Sequence, residues 1–102
     1  MENIISKLNK AFESRVRLGI MSVLMVNDSI DFNSLKELLN ITDGNLASHL
    51  KALEKEEFIG VKKQFIGRKP NTSYEATDAG KAALYHHLKA LEDLIKSTET
   101  DE

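Results

Sequence analysis

The chain contains no cysteine and no tryptophan. Without a thiol, disulfides, thiolate metal sites and cysteine nucleophiles are all excluded. No apolar run approaches the roughly 18 residues needed to span a bilayer. The first residues, MENIISKLNKAFESR, mix charges into their apolar positions and lack the apolar stretch of a secretory signal. These absences suit a cytoplasmic protein. Gly19, Gly44, Gly60, Gly67 and Gly80 are scattered singly, so no glycine-rich phosphate loop is present. Neither of the adjacent His86 and His87 has a His, Asp or Glu partner four residues on, and no H-E-x-x-H spacing exists. No Ser-His-Asp arrangement or paired-carboxylate motif can be picked out. The expectation is a protein that is not an enzyme and has no metal or cofactor.

A length of 102 residues fits one domain over 1–102, and 41% hydrophobic with 29% charged residues is an ordinary globular balance. The net charge of −2 argues against a polyanionic partner at first sight. A phosphate backbone responds, however, to charge within about 8–10 Å. Between Phe58 and Tyr74 stand Lys62, Lys63, Arg68 and Lys69, with no acid among them. The acids gather in Glu54, Glu56 and Glu57 and in the tail, at Glu99, Asp101 and Glu102. The chain is polarised.

Apolar spacing predicts the elements. Ile5, Leu8 and Phe12 place an amphipathic helix over residues 2–12. Ser14 is the expected cap of a second helix, which carries Val16, Ile20 and Leu24 inward and ends near Asn27. Ile30-Asp31-Phe32 is long enough for only a minimal strand. Asn33 is the expected cap of a short helix with Leu35, Leu38 and Leu39 inward, and Thr42 caps the next, where Leu46, Leu50 and Leu53 stack. This pair reads as a helix-turn-helix. The period then changes: Phe58–Val61 and Phe65-Ile66 are β-prone, Gly67 to Asn71 has turn chemistry, and 73–77 is a returning strand. A last helix from Thr77 or Asp78 to about Lys96 leaves a frayed tail over 97–102.

At this point the sequence resembles the small stand-alone winged-helix regulators related to the arsenic-repressor and multiple-antibiotic-resistance-repressor groups (ArsR-like and MarR-like). The matching pieces are Arg15-Val-Arg-Leu-Gly-Ile, Asp31-Phe-Asn-Ser-Leu-Lys-Glu-Leu-Leu, Thr42-Asp-Gly-Asn-Leu-Ala-Ser-His-Leu-Lys-Ala-Leu-Glu and Gly67-Arg-Lys-Pro-Asn-Thr-Ser-Tyr-Glu-Ala-Thr-Asp-Ala-Gly-Lys. The last two, in that order, are the specific ones. The resemblance implies a winged helix-turn-helix, mainly α with a small β-hairpin (α+β), in the order α-α-(β)-α-α-β-β-α. It also implies that 43–56 is the recognition helix and that the terminal helices, 1–12 and 77–96, make a two-fold dimer. The metal-sensing branch has a cysteine motif that this chain lacks.

With three leucines inward, the opposite surface of 43–56 carries Gly44, Asn45, Ser48, Lys51, Ala52 and Lys55, with His49 flanking. Small polar groups seat a helix deeply, and Asn, Ser and His all bond to base edges. In the wing, about 62–74, Arg68 and Lys69 are expected on phosphate or in the minor groove. Thr72 is read first as a strand-edge hydrogen bonder and second as a phosphate contact, and Tyr74 as a packing residue. Lys62 and Lys63 alternate, so at most one faces the duplex. Asp43, Glu54, Glu56 and Glu57 oppose such a partner. Asp43 suits the helix dipole, and the glutamates are expected where the groove curves away.

Two leucine-type stripes mark the last helix. Leu84, Leu88, Leu91 and Ile95, with Ile4, Ile5 and Leu8, are expected to form the dimer contact. Ala83, His87, Ala90 and Leu94 form the second stripe, which makes His87 a candidate pH-sensitive interface residue. The leading function is a homodimeric regulator that binds double-stranded DNA in a sequence-specific way. The alternative is a winged-helix protein-interaction module that binds no DNA. A small-molecule effector stays open but unidentified, and its pocket would be expected near Phe12, Tyr85 and Leu88.

Overall fold

A computed structural model describes residues 4–97 of the chain. From Ser14 onward the elements follow the expected order closely, but the N-terminal segment does not. Instead of one helix over 2–12 there are two short 3-10 turns, Ile4–Lys7 and Lys10–Phe12; positions 2 and 3 lie outside the described residues. Asn9 is the reason. Its side-chain oxygen accepts the Ala11 N–H at 2.9 Å, and its own N–H goes to His87 Nδ1 at 3.0 Å. A backbone spent on these partners cannot continue a helical ladder.

Helix α1, Arg15–Val26, starts as expected at Ser14, whose hydroxyl accepts the Arg17 N–H at 3.3 Å. Strand β1, Ile30–Asp31, is two residues long. Helix α2, Phe32–Leu39, begins earlier than Asn33 would allow, because Asp31 is its cap. The Asp31 carboxylate accepts from the Ser34 N–H at 3.2 Å and from the Ser34 hydroxyl at 2.6 Å. Asn33 is exposed. Asn40 closes α2 in the left-handed region, φ 51°, where asparagine is well tolerated. Thr42 then caps helix α3, Asp43–Lys55, by accepting the Asn45 N–H at 3.2 Å.

The hairpin is longer than the β-prone stretches suggest. Strands β2, Ile59–Ile66, and β3, Lys69–Ala76, pair continuously from Ile59↔Ala76 to Ile66↔Lys69. The turn is therefore Gly67-Arg68 alone, with Gly67 at φ +66°, as in two-residue hairpins with glycine first. Pro70 and Asn71 belong to β3. The sheet order is β1-β3-β2, and β1 reaches only Tyr74 and Ser73. At Pro70 the outer side of β3 is consequently an open edge, where a missing N–H is tolerated.

Helix α4, Asp78–Ser97, starts at Thr77, whose hydroxyl accepts the Gly80 N–H at 2.9 Å and donates to the Glu57 carbonyl at 2.7 Å. Ser97, expected in the frayed tail, is helical, and 98–102 lie outside the described residues. Ile20, Met21 and Leu24 of α1, Leu35 of α2, Leu46, Leu50 and Leu53 of α3, Ile59 and Leu84 form one core. Each such buried side chain contributes about 1.5–3 kcal/mol. Phe12 closes its end, with its ring 5.6 Å from Phe58 and 5.3 Å from His87. The outcome is α+β with a three-stranded antiparallel sheet, a winged helix. Among the described residues no helix is long and apolar enough to cross a membrane.

Candidate nucleic-acid interface

Helix α3 is anchored by Leu46, Leu50 and Leu53, all buried, so the rest of its circumference is free to face outward. Gly44, Asn45, Ser48, Lys51 and Lys55 are exposed, together with Ala47 and Glu54, which the sequence reading left off this face. Ala52 and His49 are half-buried instead. His49 is turned toward α1, where its Nδ1 accepts the Arg17 Nε–H at 3.3 Å. Arg17, half-buried at the flank of α3, is a further cation of this face. Its only signal in the sequence was a place in the Arg15-Val-Arg motif.

Beside α3 the hairpin forms the far wall of a groove of about 630 Å³. Ser48, Lys51 and Glu54 line one side, and Val61, Lys63, Thr72 and Tyr74 the other. Strand alternation decides which lysine takes part. Lys63 pairs with Thr72 on the groove face, and Lys62 pairs with Ser73 on the opposite one. Arg68 and Lys69 are exposed at the tip. Among the described residues, none of Lys51, Lys55, Lys62, Lys63, Arg68 and Lys69 has a carboxylate partner. Their charge is therefore available to an outside anion.

The acids are handled unequally. Asp43 is paired with Lys36 of α2 at 2.8 Å, which offsets its charge at the start of α3. Glu56 and Glu57 follow α3 and are exposed. Glu54, however, is not remote, because it lines the groove. It helps hold the Tyr74 hydroxyl above its ordinary pKa, an effect due first to burial and second to this carboxylate.

The dimer seam read from the sequence divides. Leu84 is buried in the core of its own fold and cannot reach a partner. Leu8 and Leu91 are half-buried, while Ile5, Leu88 and Ile95 are 65%, 50% and 68% exposed. Ile4 begins the first turn, but its side chain lies outside the described residues. His87 is a correction. It is 6% exposed, holds Asn9 and meets the Phe12 ring edge-on, so it stitches the N-terminal segment to α4. Of Phe12, Tyr85 and Leu88, near which an effector pocket is expected, the fold buries the first and exposes the other two. Phe12 is in the core, and Tyr85 and Leu88 line only a hollow of about 170 Å³ with Lys89 and Glu92.

Residues 16–95 match the model of a winged helix DNA-binding domain family. The chain is 39% identical over 90 residues to an uncharacterized protein of Methanocaldococcus jannaschii, covering 88% of this chain and 98% of that one. It is similar to a solved transcriptional regulator homologue from Pyrococcus horikoshii, with a TM-score of 0.76, 29% identity, and coverage of 93% of this chain and 99% of the other. AbfR, solved in reduced form bound to DNA, shares the fold at a TM-score of 0.73 and 17% identity, over 92% of this chain and 69% of that one.

Proposed function

Because the chain belongs to the winged helix DNA-binding domain family, we propose that it is a transcriptional regulator that reads double-stranded DNA in a sequence-specific way as a homodimer. Helix α3 enters the major groove, and the hairpin, residues 62–74, lies on the backbone or the adjacent minor groove. One observation carries this reading: Ser48, Lys51, Lys63 and Thr72 face a single groove whose cations have no carboxylate partner among the described residues. Lys63 and Thr72 suit a phosphate, because one supplies charge and the other a hydroxyl donor. Asn45 and Ser48, near the start of α3, are placed for base edges. The exposed apolar residues of α4, Leu88 and Ile95, supply the contact with a second copy. The two α3 helices then sit about 34 Å apart on a pseudo-palindromic site. On the same reading the protein acts in the cytoplasm.

Selection of bound duplexes from a random pool tests this reading. The expected product is a symmetric motif, and affinity for it should fall with salt by about 0.9 log units per phosphate neutralised. Arg68→Ala with Lys69→Ala should weaken binding and flatten that slope. Recovery of no duplex, or a slope of about one or less per dimer, would overturn the proposal. That result would favour a protein-interaction module, the reading that Glu54 in the groove and the net charge of −2 support.

A further inference from the structure

At the end of the hairpin stand two large apolar side chains that none of the described residues covers: Phe65 is 73% exposed and Ile66 60%. Hairpin tips in water normally carry polar groups, because each uncovered aromatic forgoes its burial. Their neighbours are Lys63, Arg68 and Lys69, and no acid lies between Phe58 and Tyr74. An apolar tip ringed by cations fits a surface that is apolar inside and anionic at its rim. A nucleic-acid groove has that character, with base edges and sugars below and phosphates along both walls.

Register and reach agree with this. Phe65 pairs with Pro70, two residues beyond the Lys63↔Thr72 pair, so it lies on the strand face that lines the groove beside α3. Ile66 pairs with Lys69 and lies on the opposite face. From Val61↔Tyr74, beside α3, to Ile66↔Lys69 the hairpin advances five residues, about 17 Å at about 3.4 Å each. Half a turn of duplex, the step from a major groove to the next minor groove, is also about 17 Å.

We infer that Phe65 is an apolar wedge that enters the minor groove flanking the site of α3 and opens a base step there, bending the duplex. The inference rests on the DNA-binding reading above. It makes the protein selective at a position where it bonds to no base, since pyrimidine–purine steps open readily and A-tracts resist. Arg68 and Lys69 hold the groove walls while the ring enters.

The test uses the full-length protein and the duplex that it selects from a random pool, labelled at both ends for energy transfer. Phe65→Ala should weaken binding by about tenfold, the scale of one base–aromatic contact. The salt slope should stay unchanged, because an apolar contact releases no counterion. A bend of about 20° or more in the wild-type complex should shrink. Replacing a TA step by an A-tract at the tip position should weaken the wild type and leave Phe65→Ala nearly indifferent. Ile66→Ala should have much less effect. Equal binding by wild type and Phe65→Ala, or a larger loss for Ile66→Ala, would overturn the wedge alone. Loss of dimer mass on Phe65→Ala would overturn it too, by showing that the tip meets a second copy. If the wild-type protein recovers no duplex, the DNA-binding reading fails first. Because Phe65 is exposed, its truncation should leave the melting temperature unchanged.

Discussion

The ammonium of Lys36 lies 2.8 Å from the carboxylate of Asp43, across the turn that joins α2 to α3. Asp43 sits in the first turn of α3, where it favours the helix dipole but would repel a phosphate. Lys36 lets the helix keep the first effect while limiting the second. Lys36→Ala should weaken duplex binding about two- to fivefold, the scale of an exposed charge pair. Asp43→Asn should strengthen it by a similar factor at low salt. The double variant should return close to wild type. Fluorescence anisotropy across a salt series checks all three, and a double variant as weak as Lys36→Ala would show that Lys36 acts on DNA directly.

Asp31 makes stability depend on pH. The Ser34 hydroxyl donates to its carboxylate and holds its pKa below the ordinary value, against the opposing effect of partial burial. A carboxyl lowered on folding stabilises the fold fully above its unfolded pKa of about 3.9. That contribution is lost as pH falls through the lower folded value. Asp31→Ala should cost about 1 kcal/mol at neutral pH, the usual loss of a helix cap. Asp31→Asn should keep most of the cap and flatten the acid dependence. Urea melts between pH 2 and 7 measure both; an unchanged acid limb in Asp31→Asn would place the effect elsewhere.

Gly80 should not tolerate a methyl group. A Cβ there would stand 2.0 Å from the Phe58 carbonyl oxygen, which also accepts the Thr77 N–H at 3.0 Å. Helix propensity alone favours Gly→Ala by about 1 kcal/mol. The clash is with backbone and cannot swing away, so the expected sign is reversed, with a net loss of about 1–3 kcal/mol. Thermal denaturation should show a lower Tm for Gly80→Ala. A raised Tm would mean that α4 and the Phe58 strand entry separate easily.

Leu84 and Leu88 sit one turn apart on α4 but should behave differently. Leu84→Ala removes a buried core residue and should cost about 2–5 kcal/mol in stability. Leu88→Glu, at an exposed position, should keep the helical circular dichroism yet lower the mass by light scattering from dimer to monomer. A dimer that survives Leu88→Glu would move the proposed contact off this face.

Helix positions were legible along the chain wherever leucine spacing and a cap agreed, as at Ser14, Thr42 and Thr77. Those signals are local, since a hydroxyl that accepts an N–H three residues on needs no distant partner. Much of the outward face of α3 was legible for the same reason, since Leu46, Leu50 and Leu53 define the inner side, but the exposure of Ala47 and Glu54 and the turn of His49 toward Arg17 were not. Tertiary structure decided the rest. The N-terminal helix gave way to two turns because His87, 78 residues away, takes the Asn9 N–H. Of two equivalent apolar stripes on α4, only the fold could say which residues are buried, and it put Leu84, His87 and Ala90 inward. Likewise, alternation along β2 separates Lys63 and Phe65 from Lys62, but only the placement of the hairpin beside α3 turned the first two to the groove. Period and caps are written residue by residue, whereas a choice between faces is made by whatever the chain brings back from far along its length.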